Sequence, residues 1–267
     1  MPSVPHGPLF DPGNSVVILV SFEGPDRYAQ AGGLGVRVTG LAQTLANHSY
    51  ETHLFVLGDP GLPDEETHGR LTLHRWAQWI SAYHPRGVYD SEEDKRRDLA
   101  ASLPSYLVDR LIARAIARGR VPVVLSEEWQ VAEFACLLSD AITATGGRDR
   151  AVLAWNANNP YSFDRIDWPR LAATNLVTTV SRYMHSIVRA QGVDALVVPN
   201  GIPRQLLRAP TGARSIACAV AGPVEVCCSR WPGGSRRRDG IRRWGPSRGC
   251  AATDTGLRWS RGAADRR

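Results

Sequence analysis

Lysine is almost missing from this 267-residue sequence: Lys95 stands alone against 31 arginines. A bias of that size speaks of GC-rich coding DNA more than of protein chemistry. Cysteine is scarce as well. Only Cys136 precedes residue 204, and Cys218, Cys227, Cys228 and Cys250 follow it. Five cysteines cannot all pair, and no C-x-x-C has a matching second pair, so neither a disulfide framework nor a thiolate zinc site is indicated. Cys136 lies in an apolar helical pattern and reads as a small core residue. The histidines form no H-x-x-x-H or H-E-x-x-H arrangement, which argues against a zinc site. Ser15, Ser21 and Ser181 stand in no G-x-S-x-G setting, so no hydrolase elbow is indicated there. No run approaches the ~18–20 apolar residues that span a membrane. Residues 1–13 hold several prolines, no Lys or Arg, and no apolar stretch resembling a secretory leader. From these absences we expect a cytoplasmic protein with no membrane span and no metal.

What is present divides into two parts. A hydrophobic content of 43% is ordinary for a globular chain and large enough for a core without staples. The overall charge of +6 misleads. Residues 204–267 carry 14 Arg and four acids, a net +10, which leaves 18 basic and 22 acidic residues, a net −4, for residues 1–203. The body therefore gives no electrostatic reason to expect nucleic acid as a partner. Segments such as 229–238 (SRWPGGSRRR) and 242–250 (RRWGPSRGC) show neither helical nor strand periodicity. One reading is a basic arm for nucleic acid or membrane. The reading we favour is a disordered tail produced by a frameshift in GC-rich DNA, because arms rarely combine three tryptophans and four cysteines without a fold.

Along the body, strands alternate with helices. The β-branched run at 15–22 (SVVILVSF) reads as a buried strand. A glycine-rich loop follows, then an apolar-periodic helix over 36–46. Strands are expected at 51–57, 71–79, 122–125, 151–155, 176–180 and 196–198. Helices are expected at 92–101, 104–118 and 131–143, and from a capping Ser181 to about residue 190. This order predicts an α/β protein with a doubly wound parallel sheet and ligands at the carboxyl ends of its strands.

Several segments could carry chemistry. In the loop 23–35 (EGPDRYAQAGGLG), glycines let backbone N–H groups approach a ligand, and a helix start just behind them favours phosphate. The spacing is not G-x-G-x-x-G, and a plain tight turn explains it equally well. Residues 126–130 (SEEWQ) place carboxylates after a strand, where they can hold sugar hydroxyls or act as acid or base; acids at a helix start give the simpler reading. In 155–168 (WNANNPYSFDRIDW), amides and aromatic rings suit sugar recognition, while an Asn-rich loop bonding its own backbone accounts for them as well. For T-T-V-S-R-Y at 178–183 and V-V-P-N-G-I-P at 197–203, structural roles suffice.

Taken in order, G-G-L-G, S-E-E-W-Q, the Asn-rich segment, V-S-R-Y-M and P-N-G-I-P resemble the N-terminal domain of retaining glycosyltransferases of the glycogen synthase type and the wider glycosyltransferase family 4. The likeness covers residues 15–203. It implies the Rossmann-like N-terminal half of a GT-B fold, with residues 14–203 as the acceptor domain between an N-terminal extension (1–13) and the basic tail (204–267). It implies transfer of a sugar, with retention, from a nucleoside diphosphate sugar to a carbohydrate or small-molecule acceptor, and no cofactor. Gly32, Gly33 and Gly35, with Glu23, would lie near the donor's diphosphate and sugar. Glu128, Trp129 and Gln130 match the synthases' Asp-Trp-His/Gln-type segment, and Asn156, Asn158 and Asn159 would face the cleft. Glu128 and Asn158 are the candidates nearest the chemistry. The synthases' Lys two residues before the glycine pair is Gln30 here, and their His-Asn pair falls on Asn158-Asn159; both changes point to family 4 at large. Nothing after Pro203 matches the donor-binding half of the family, so this chain is expected to be inactive by itself. The rival is a non-catalytic remnant that binds a glycan or a partner.

Overall fold

A strand apolar at all but its first position needs cover on both faces, and the computed structural model, which describes residues 10–201, supplies it. All six residues of β1 (Ser15–Val20) are buried. Val16, Ile18 and Val20 enter the larger of two cores, while Val17 and Leu19 enter the smaller one. The other strands are β2 (Glu51–Leu57), β3 (Glu65–His68), β4 (Leu71–Trp76), β5 (Val121–Glu127), β6 (Val152–Ala157), β7 (Leu176–Thr179) and β8 (Leu196–Val197). They form one sheet in the order β3-β4-β2-β1-β5-β6-β7-β8. Every pairing is parallel except β3 with β4 at the edge. The expected doubly wound α/β architecture is the one observed.

The helices are α1 (Gly33–Asn47), α2 (Gln78–Ser81), α3 (Glu92–Leu107), α4 (Ala113–Ala117), α5 (Ala132–Ala144), α6 (Trp168–Thr174) and α7 (Arg182–Arg189). Val38 and Ala42, four apart on one face of α1, pack on Val17, Leu19, Leu54 and Val56. On the opposite face, Leu99, Leu103 and Leu107 of α3 and Phe134, Leu138 and Ile142 of α5 build the larger core. Ser181 caps α7 as expected, its hydroxyl accepting from Met184 N at 3.1 Å.

Several elements differ from the sequence reading, four of them near its helices and turns. Helix α1 starts inside the glycine loop, so Gly33 and Gly35 are helical residues. The strand expected over 71–79 stops at Trp76, because Ala77 takes a left-handed conformation (φ 54°) that turns the chain into α2. The two helices expected around Pro104 are one continuous path. Proline removes only its own donor there, and the chain passes through a π-helical turn (Val108–Ile112) into α4. Helix α6 went unread, although Asp167 accepts from Arg170 N at 3.1 Å and Pro169 occupies its first turn. The expected tail at 204–267 and residues 1–9 of the expected extension lie outside the described residues.

Candidate functional site

The strand order reverses between β1 and β5. Loops leaving these neighbours diverge there and open a crevice at the carboxyl end of the sheet. The loop after β1 is held by Asp26, whose carboxylate receives Arg75 of β4 at 2.7 and 3.1 Å and whose carbonyl accepts from Ala29 and Gln30 N. Glu23, buried at the start of this loop, folds back onto the first turn of α1. Its Oε2 accepts from Gly32 N at 2.9 Å and Gly35 N at 3.0 Å, and its Oε1 accepts from the Tyr89 hydroxyl at 2.6 Å. A carboxylate suits that position, because the helix start leaves N–H groups unpaired and carries partial positive charge. Burial, with the Glu23 carboxylate next in importance, raises the Tyr89 phenol and keeps it a donor.

The glycines of the loop do different work. A Cβ on Gly35 would lie 2.7 Å from the Gly24 carbonyl, so the close approach of loop and helix requires glycine there. A Cβ on Gly33 would meet nothing within 4 Å. Among the described residues, the Gly33 and Leu34 N–H groups have no protein partner at the start of α1.

Across the crevice, β5 runs two residues further than its apolar pattern suggested and carries Glu127 to its end. This buried carboxylate pairs with Arg37 of α1 and accepts from Asn156 Nδ2 at 2.9 Å and Asn158 Nδ2 at 3.1 Å. Arg37 also donates to Asn200 beyond β8. Glu128 follows at φ 75°, ψ 170°, a region nearly reserved for glycine. Its backbone is clamped on both sides: its N–H donates to Asn156 O at 3.0 Å, and its carbonyl accepts from Trp155 Nε1 at 2.9 Å. Its Oε1 accepts from Asn158 N at 2.7 Å. Burial pushes the Glu128 carboxyl up to about 7, with Glu127 adding to the rise and the Asn158 and Arg37 contacts opposing it. Of these two adjacent carboxyls, Glu127 has a cation paired to it and Glu128 has none among the described residues.

Glu23, Leu34, Tyr89, Glu128, Trp129 and Tyr161 border a cavity of about 360 Å³, with Asn159 at its rim. The structure brings Glu23, Glu128, Trp129 and Asn159 to this cavity, with Gly32 and Gly35 tied to it through Glu23 and Gly33 beside them at the helix start. Asn158 links Glu128 to Glu127, and Asn156 stands behind them, its Oδ1 accepting from Thr178 at 2.9 Å. The aromatic reading of 155–168 needs correction: Trp155 and Trp168 are buried and pack edge-to-face at 5.7 Å, so they build core and cannot stack on a sugar. Sequence reasoning missed Arg37 and Tyr89, whereas Tyr161, the aromatic ring of 155–168 that does border the cavity, lies in a segment it singled out. Arg37 lies one helical turn beyond Gly33, a spacing that could have revealed it; Tyr89 stands in a loop with no motif. Among the described residues, no group of three or more His, Cys, Asp or Glu is placed to hold a metal ion. No described helix is long and apolar enough to cross a membrane.

Fold and crevice together define a Rossmann-like α/β domain with an open crevice at the switch point of its sheet. Glycosyltransferase Family 4 matches residues 31–206, and the chain belongs to that family. Among solved structures, the chain is similar to the catalytic domain of starch synthase IV from Arabidopsis thaliana bound to ADP and acarbose, at 16% identity and a TM-score of 0.50. That match covers 75% of this chain and 54% of the other, so this chain spans about half the length of its structural relative. A sucrose-phosphate synthase from Thermosynechococcus elongatus matches at 13% identity and a TM-score of 0.45, covering 73% of this chain and 100% of the other. No curated protein matches the sequence.

Proposed function

We propose that residues 14–203 form the acceptor-side half of a retaining glycosyltransferase whose donor is a nucleoside diphosphate sugar. The observation that carries this reading is the strained, clamped backbone of Glu128, which lines one cavity together with Leu34 of the first turn of α1. Strain of this kind persists where surrounding structure enforces it, and it clusters at functional sites. The Gly33 and Leu34 N–H groups would meet the diphosphate at the start of α1. Glu23 fixes that helix end, and Arg37 neutralises Glu127. Glu128, half-protonated near neutrality, would hold an acceptor hydroxyl either as donor or as acceptor. Asn158 can transfer no proton, so its part is to orient Glu128. Rate enhancement would then rest on positioning and on stabilising the leaving diphosphate.

In this reading the nucleotide is held mainly by a second domain that residues 204–267 do not resemble, and the chain alone does not turn over. Ligand-observed NMR with UDP-glucose, ADP-glucose and GDP-mannose tests the site. Weak broadening of at least one ligand is expected, and Gly33→Val, which fills the open space, should abolish it. No broadening across the set would contradict the proposal. If a donor-binding half is supplied by fusion after Pro203, the product should keep the donor's anomeric configuration; an inverted product would rule out retention.

A further inference from the structure

Two large aromatic side chains stand in solvent away from the crevice. Trp79 is 64% and Tyr83 81% exposed. They are four residues apart along the turn of α2 and its continuation, where Ala82 N donates to Gln78 O at 2.9 Å and Tyr83 N to Ile80 O at 3.0 Å, so they project from one face. The chain reaches this arrangement through the left-handed Ala77, a strained conformation for a residue with a Cβ. Both rings border an open cavity of about 490 Å³ that also meets His84, Asp94, Arg97 and Asp98.

The chemistry of that surface is specific. Two carboxylates, a guanidinium and an imidazole give mixed charge, which favours neither an anion nor a cation. They do offer hydrogen-bond acceptors and donors at the rim of an apolar floor. A pyranose has the complementary pattern, with C–H faces for the rings and hydroxyls for the rim. Position adds to this. α2 leaves the carboxyl end of β4, the same end of the sheet as the crevice, and the segment after Tyr83 runs on to Tyr89, which bonds Glu23.

We propose that Trp79 and Tyr83 form a second carbohydrate-binding surface, a platform that holds a neutral oligo- or polysaccharide beside the crevice. The choice of ligand rests on the glycosyltransferase reading above. Native electrophoresis of the full chain through gels containing soluble starch, dextran, mixed-linkage β-glucan or galactomannan tests it. At least one polysaccharide should retard the chain. Trp79→Ala combined with Tyr83→Ala should weaken that retardation on the order of tenfold, while Trp79→Phe should keep most of it. Gly33→Val, which alters only the helix start proposed to meet the diphosphate, should migrate like the parent. Equal retardation of parent and double variant would overturn the platform, and so would the absence of retardation in all four gels. Sedimentation showing a dimer that the double variant converts to monomer would also overturn it, since the surface would then cover a second copy. Retardation lost in Glu128→Gln but kept in the double variant would sink the platform and leave the crevice standing; broadening of nucleotide sugars reads the crevice independently.

Discussion

Glu128 combines two costs that a merely structural residue would avoid: a glycine-type backbone and a buried carboxyl. Each gives a prediction. Its carboxyl is raised from 4.5 to about 7, so between these values the folded protein keeps a proton that the unfolded chain releases. Stability from this group is present at low pH and is lost as pH rises through that window, at up to about 1.4 kcal/mol per pH unit and roughly 3 kcal/mol in all. Urea unfolding from pH 4.5 to 8 should show that slope, and Glu128→Gln should remove it; an unchanged slope in the variant would assign it elsewhere. For the backbone, Glu128→Gly should be more stable than Glu128→Ala by about 1–3 kcal/mol, because only glycine adopts φ 75°, ψ 170° without strain. Equal stabilities would mean the turn relaxes. Lys95 belongs at this scale too. The one lysine of an arginine-rich chain is wholly buried, its Nζ donating to Tyr28 Oη at 2.6 Å and to the carbonyls of Gly87 and Val88 at 3.1 Å each. A compact ammonium fits three converging acceptors, and a planar guanidinium does not. Lys95→Arg should therefore lower stability by on the order of 1–3 kcal/mol in urea unfolding; a neutral outcome would show the pocket can open.

At the scale of elements, legibility followed the strength of local signals. β1 and β2 were readable because continuous apolar runs between turn residues have few other interpretations. β3 was not, since its four residues are charged or polar and pair antiparallel at an edge, where no buried face imposes a pattern. α6 did carry a signal, an Asp before Trp-Pro, that the surrounding Asn-rich loop obscured. Its cap can be weighed directly: Asp167→Ala should cost about 1 kcal/mol in thermal or urea unfolding, and no loss would mean the packing of Trp168 and Leu171 alone holds the helix. The ends of β5 and β6 were read too short because Ser126, Glu127 and Asn156 are polar, yet those polar residues are what the sheet delivers to the crevice. The candidate site was thus least legible where strands stop being apolar.

At the scale of the whole molecule, the doubly wound sheet follows from alternating strand and helix signals, and the crevice from the reversal of strand order between β1 and β5. The ordered motifs identified the segments that meet there, but not how they meet. No sequence feature announced that Glu23 would occupy two of the loop's N–H groups, or that Gly33 and Leu34 would keep theirs. That division leaves one short stretch of backbone free, and in the proposed function this stretch receives the diphosphate. Amide chemical-shift mapping of the full chain during titration with ADP-glucose and UDP-glucose tests it most directly. The Gly33 and Leu34 amides should move most, with Glu128 and Asn159 following and Gly32 and Gly35 held by Glu23. Shifts confined to other surfaces, or none at Gly33 and Leu34 at any concentration where the ligands bind, would contradict it.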